Sequence, residues 1–262
     1  MTADLAVRSA RQETAPGALA WAAPSWVERR PFTATSAITA GVCVLVLASA
    51  GVLAWFFPEL GETTRRQIAT LVLAAAVLVL LFRWSAWRAV GLTRVPRLRD
   101  LTLIALPLAI AAWPLGFGIE GGALALGTAL LAELPNSFAE EALMRGVVVR
   151  AFARRKRWLT AVVSGVSFGV LHLVVLVWGA PVADVVPLIV IAGLFGIGYA
   201  CVRLVTGSLW APIALHALFN VSQEVGRGID TLGEVPSTLI LLAGAVVLPA
   251  YGLLLLRRAP RN

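Results

Sequence analysis

Two adjacent acids, Glu140 and Glu141, and the only two histidines of the chain, His172 and His216, stand inside long apolar segments. An ionisable side chain at bilayer depth costs about 3 kcal/mol or more, so it faces a cavity or a partner and marks a working site. The chemistry that suits this set is hydrolysis of an amide. A carboxylate and an imidazole beside a held water molecule form a general base, a part that falls to Glu140, with His172 orienting the water or sharing its proton. His216 and Asn220 lie four residues apart on one helix face and offer N–H donors to the oxyanion that develops on a scissile carbonyl. No serine or cysteine is paired with these groups, which favours direct attack by water over an acyl-enzyme.

Local spacing orients these residues. Glu141 and Arg145 share a helix face in the acid-before-base order that favours pairing, and Phe168 shares a face with His172. Adjacent residues point about 100° apart, so Glu140 and Glu141 cannot do the same job. The expectation is that Glu140 faces the cavity while Glu141 holds the helix through Arg145. Plainer roles exist for each. Glu141 with Arg145 is then a structural ion pair, Ser137-Phe-Ala-Glu140 after Pro135 reads as a capping box, and either histidine alone bridges helices by a hydrogen bond. Glu133 lies further up the same segment, at the cavity mouth, without a role.

The elements that must position these groups are membrane spans. Hydrophobic residues make up 59% of the 262, far above the soluble range. Apolar runs long enough to cross about 30 Å of hydrocarbon recur at roughly 35–57, 67–87, 101–119, 123–150, 158–178, 183–204, 208–225 and 236–256. The expected fold is an all-α integral membrane protein, a bundle of about eight transmembrane helices with an intramembrane active-site cavity. The domain limits are a flexible N-terminal tail over 1–34, touching the membrane through Trp21 and Trp26, a membrane domain over 35–256, and a tail over 257–262.

Lysine and arginine mark the cytoplasmic side. Of 22 basic residues, all but Arg65, Arg66, Arg227 and the intramembrane Arg145 fall in the N-terminal tail, the second, fourth and sixth connections, or the C-terminal tail. Both termini are therefore expected in the cytoplasm. Counting from that side at about 1.5 Å per residue puts Glu140, His172 and His216 within one layer, nearer the cytoplasmic face. The net charge of +8 reports this topology, and no nucleic-acid module is visible. Cys43 and Cys201, isolated in apolar runs, read as packing residues. Prolines and glycines punctuate the third and fourth spans, and Pro135, just before the acids, predicts a kink or a helix restart.

With these residues in hand, the chain resembles the CPBP family, the CAAX-processing and bacteriocin-processing (Abi) membrane proteases related to Rce1-type prenyl-protein endopeptidases. The resemblance rests on Glu140-Glu141-Ala-Leu-Met-Arg145, Phe168-Gly-Val-Leu-His172 and His216-Ala-Leu-Phe-Asn220, in the family's order on successive spans, and on Thr206-Gly-Ser-Leu-Trp-Ala-Pro-Ile before the last. It covers roughly 120–225. Met144 departs from the aromatic residue that members often carry before the arginine. The resemblance implies an intramembrane endopeptidase of the glutamate type, in which Glu140 and His172 activate water while His216 and Asn220 stabilise the oxyanion, with no cofactor. The minority alternative is zinc held by Glu140, His172 and His216 with an open position, although no H-E-x-x-H is present.

The implied partner is a membrane-anchored protein or peptide in the lipid bilayer, CAAX-like or bacteriocin-type. A site near the cytoplasm suits cleavage near the C-terminus of a lipid-anchored protein. The Ala-, Arg- and Gly-rich, lysine-poor composition points to a bacterium with GC-rich DNA and hence to the plasma membrane. The non-enzymatic rival is an immunity or regulatory protein that binds a peptide in the same cavity. A transporter is disfavoured because no paired discontinuous segments recur in two matching halves.

Overall fold

The computed structural model describes residues 21–258, and among these every regular element is a helix, without strands. Helices are what apolar segments of this length must form, because inside hydrocarbon only a helix satisfies the backbone from within its own segment. Eight long helices follow one another: α1 (Pro31–Phe56), α2 (Glu62–Arg83), α3 (Leu98–Ala112), α4 (Gly122–Glu141), α5 (Arg157–Leu171), α6 (Val182–Thr206), α7 (Trp210–Val225) and α8 (Glu234–Arg258). Three of them change character at the end. After α3 the chain continues as a 3-10 helix, Trp113–Phe117, and after α5 as another, His172–Trp178; α4 runs into a π-helical stretch, Ala142–Val148.

These rods coincide with the eight expected runs, but six are long and apolar enough to cross a membrane by themselves. The two that fall short are α4 and α7, which carry the acids, Arg145, His216 and Asn220. The charges of α4 lower its hydropathy, and α7 has only 16 residues. The helix α4 packs between α2 and α7 and is buried mainly in its last turn, with Leu124, Leu131 and Leu134 exposed; α7 packs against α3, and α6 packs between α5 and α8. The protein is an all-α integral membrane protein whose site-bearing helices, α4 and α7, pack against each other and against more apolar ones.

Close packing of α5 on α6 rests on glycine. A Cβ at Gly165 would fall within 2.6 Å of the Gly193 carbonyl oxygen, and one at Gly169 within 2.5 Å of the Ile189 carbonyl oxygen. Small residues that let backbones touch are the usual means of helix association in lipid.

The two ends of the bundle differ. At one end the connection between α2 and α3 folds beneath α6 and α7: Arg203 Nε donates to the Val90 carbonyl at 3.1 Å, Leu209 N to that of Gly91 at 3.0 Å, and Trp210 Nε1 to that of Leu92 at 2.8 Å. Gly91, at φ +89°, makes this turn where only glycine is at ease. The largest apolar cluster runs from this end, where Val27, Leu81, Val90, Val147, Val148, Phe152 and Leu209 are fully buried, to Val42, Leu73 and Leu171 further along the bundle. At the other end the connections after α3 and α7 are joined by an isolated bridge between Ile119 and Gly226.

Two expectations change here. The tail expected to be flexible over 1–34 is packed from residue 21 onward: Ala22 N donates to the Trp84 carbonyl, Trp21 stacks edge-on upon Trp84 with centroids 5.7 Å apart, and Glu28 pairs with Arg150 at 2.9 Å. Helix α1 begins at Pro31, suited to a first turn that needs no N–H donor. Residues 1–20 lie outside the described residues. At Pro135 the helix does not restart: α4 runs through the proline as one element. With no new helix start there, Ser137 is not an N-cap, and its buried hydroxyl makes no hydrogen bond among the described residues.

Candidate active site

The acids lie where α4 becomes buried, at its last turn, and the wholly buried π-helical turn begins at the residue after Glu141. Such turns inside α-helices are frequent at functional sites. Ser164 of α5 fixes this stretch by donating to the Met144 carbonyl at 2.9 Å. Arg145 Nη1 lies 3.1 Å from Glu141 Oε1, and both side chains are 0% exposed. The guanidinium also lies over the Phe168 ring, 4.1 Å from its centroid. A Cβ at Gly196 would approach Arg145 Nη2 to 3.0 Å, so that glycine of α6 makes the niche. The Arg145 N–H groups meet no aligned acceptor among the described residues, and its charge is balanced by Glu141 and the ring face.

Glu141 does more than pair with Arg145. His216 Nδ1 donates to the same Oε1 at 3.0 Å, so one carboxylate oxygen ties α4 to α7. A carboxylate only accepts, which places the proton on Nδ1 and directs Nε2 away. Glu140 Oε2 is 3.7 Å from that Nε2, beyond hydrogen-bond reach, and the Glu140 side chain is 19% exposed.

His172 takes its orientation from the preceding turn. Its Nδ1 donates to the Phe168 carbonyl at 3.0 Å, and because a carbonyl cannot donate, the free Nε2 carries a lone pair. Phe168 is the platform of the site. Its ring meets His172 edge-on at 4.9 Å and His216 at 5.5 Å, besides supporting Arg145.

A cavity of about 360 Å³ holds Glu140, His172, Glu133 and Asn136 in its wall, with Glu224 and Arg66 further out. His216 and Asn220 are not part of its lining. Asn220 Nδ2 donates to Glu133 Oε2 at 2.6 Å, so Glu133 holds one of the proposed oxyanion donors. Sequence reasoning left Glu133 without a role and missed Tyr199, whose ring lies 6.2 Å from that of His216 and 5.9 Å from the Arg145 guanidinium. The position of Glu133 seven residues before Glu140 was the available signal for the first. For Tyr199 the sequence carries none.

The three residues considered for zinc are not gathered as a ligand set. Among the described residues no group of three or more His, Cys, Asp and Glu side chains converges to hold a metal ion. The His216 Nδ1 is already committed to Glu141. The donor set as arranged does not fit a three-ligand ion, and no step is derived through one.

Comparison with known proteins bears on the same segment. Residues 122–222 match the family described as Type II CAAX prenyl endopeptidase Rce1-like. No curated protein and no solved structure matches the chain.

Proposed function

Taking residues 122–222 as a segment that belongs to the Rce1-like family of membrane proteases, we propose that the chain hydrolyses a peptide bond of a membrane-associated protein or peptide with water activated by Glu140 and His172. The observation that carries this reading is the pairing of those two side chains in one cavity wall, with the lone pair of His172 Nε2 left available by the Nδ1 bond to Phe168. A water between them loses a proton to Glu140 as its oxygen attacks the scissile carbonyl carbon. The oxyanion accepts from His216 Nε2, when that nitrogen carries a proton, and from the Asn220 amide. Glu140 then returns the proton to the leaving nitrogen, the C–N bond breaks, and a carboxylic acid and an amine are released. Donors set in place beforehand are the largest single contribution in acyl transfer; Glu141 and Glu133 would supply that placement for His216 and Asn220.

The chain lies in a bacterial plasma membrane with both termini in the cytoplasm, a reading supported by the concentration of basic residues in the sequence before α1, in the second, fourth and sixth connections and after α8. The substrate is CAAX-like or bacteriocin-type. The deciding experiment compares peptide C-termini in cells producing the wild type, cells producing Glu140→Gln at matched membrane levels, and cells lacking the gene. New termini found only with the wild type are expected. Identical termini in all three, with the variant folded and inserted, would transfer the cavity to a binding or immunity role.

A further inference from the structure

The cavity is open toward one end of the bundle and blocked toward the other. Its exposed lining residues, Thr63, Arg66, Gln67 and Glu224, lie at the start of α2 and the end of α7. Its buried ones, Val42, Leu73 and Leu171, lie deeper. Below them the path is filled. Met144, Val147, Val148 and Leu209 are fully buried, and the connection between α2 and α3 is hydrogen-bonded across the end through Val90, Gly91 and Leu92. The blocked end is the one that carries Arg83, Arg88, Arg94, Arg154, Arg155 and Lys156. The open end carries few basic residues. A site expected from residue counting to sit nearer the cytoplasmic face is thus sealed from that face.

We infer that substrate reaches Glu140 and His172 from the face opposite the basic connections, the non-cytoplasmic side, so that of the two proposed substrate classes the bacteriocin-type, an exported or outward-facing anchored peptide, is the one admitted, and a CAAX-like C-terminus in the cytoplasm is not. The inference rests on the proposed orientation, with both termini in the cytoplasm. It does not depend on whether the peptide is cleaved. Three carboxylates, Glu133, Glu140 and Glu224, line the way in, against Arg66, which is paired with Glu62 at 2.7 Å. The electrostatic field of that passage favours cationic over anionic peptide segments.

The test uses the full chain with Cys43 and Cys201 replaced by alanine and one cysteine introduced at a time: Thr63→Cys at the mouth, Ala132→Cys within the cavity, and Arg154→Cys at the basic end. Gln67→Cys serves as a second mouth position if Thr63→Cys accumulates poorly. Cells are treated with a membrane-impermeant maleimide while intact or after permeabilisation, and labelling after denaturation normalises for protein amount. The expected result is equal labelling of Thr63→Cys and Ala132→Cys in both states, with Arg154→Cys labelled an order of magnitude less in intact cells. Labelling of Ala132→Cys only after permeabilisation, or in neither state, overturns the inference. Labelling of Arg154→Cys in intact cells with Thr63→Cys protected overturns the orientation and the inference with it. Because labelling needs no turnover, a chain that cleaves nothing can still pass this test, and a working protease can fail it.

Discussion

Asn220 Nδ2 and Glu133 Oε2 lie 2.6 Å apart across 87 residues of sequence, joining α7 to α4 where the cavity begins. The contact fixes the amide that the proposed mechanism needs as an oxyanion donor. It engages one of two N–H groups and leaves the other for substrate. Asn220→Ala should lower kcat by about 10²–10³, the usual cost of one such donor. Glu133→Gln, which keeps an acceptor, should stay near wild type, while Glu133→Ala should fall between them. Steady-state kinetics on a peptide identified from the cellular comparison would measure all three; equal activity in Glu133→Ala and wild type would remove the positioning role.

Glu141 serves two partners with one oxygen, and its loss should appear first in stability. Glu141→Ala leaves a buried guanidinium without its counter-charge, expected to cost about 3–5 kcal/mol. Adding Arg145→Met to that variant should recover most of the loss without restoring cleavage, because His216 Nδ1 remains unheld. Thermal unfolding in detergent, together with cleavage by the refolded fraction, separates the two effects.

His172→Ala removes from the cavity wall a ring nitrogen whose direction is fixed by the Nδ1 bond to the Phe168 carbonyl. The expected outcome is a fall in kcat of about 10²–10⁴, as for loss of a general base, with KM little changed. A change confined to KM would reassign His172 to substrate binding.

Helix packing gives a control independent of chemistry. Gly165→Ala drives a Cβ into the backbone of α6 and should destabilise by about 3 kcal/mol, the upper range for overpacking. Gly193→Ala, across the same contact, meets its nearest atom at 3.5 Å and should be tolerated. Melting temperatures of the two variants test the asymmetry.

If zinc is not required, dialysis against a strong chelator should leave cleavage unchanged, and elemental analysis should find no stoichiometric metal. Zinc at one per chain, lost in His172→Ala and in His216→Ala, would replace activation of water by Glu140 and His172 with activation by the metal.

Features set by short sequence distances were legible. The Glu141–Arg145 pair and the shared face of Phe168 and His172 follow from four-residue spacing, and the helices fall where the apolar runs do. What sequence could not supply was set by contacts across long intervals. Glu141 was read as a partner for Arg145 only, since its bond to His216 spans 75 residues. Glu133 remained unassigned for the same reason. The direction of the cavity was missed because counting along helices measures depth but not which end is filled by side chains. Pro135 starts no new helix, because a membrane helix tolerates proline where neighbouring groups satisfy the freed backbone.

The π-helical stretch over Ala142–Val148 has a consequence for comparing this chain with relatives. A π turn accommodates one residue more than an α turn, so a helical wheel drawn with one period from Gly122 is out of phase beyond Val148 by about 100°. Arg150, which meets Glu28 at 2.9 Å, lies two residues beyond the end of that stretch. A one-residue gap aligned within 142–148 would therefore signify a helix that has lost its wide turn and rotated its far end, rather than a shortened loop.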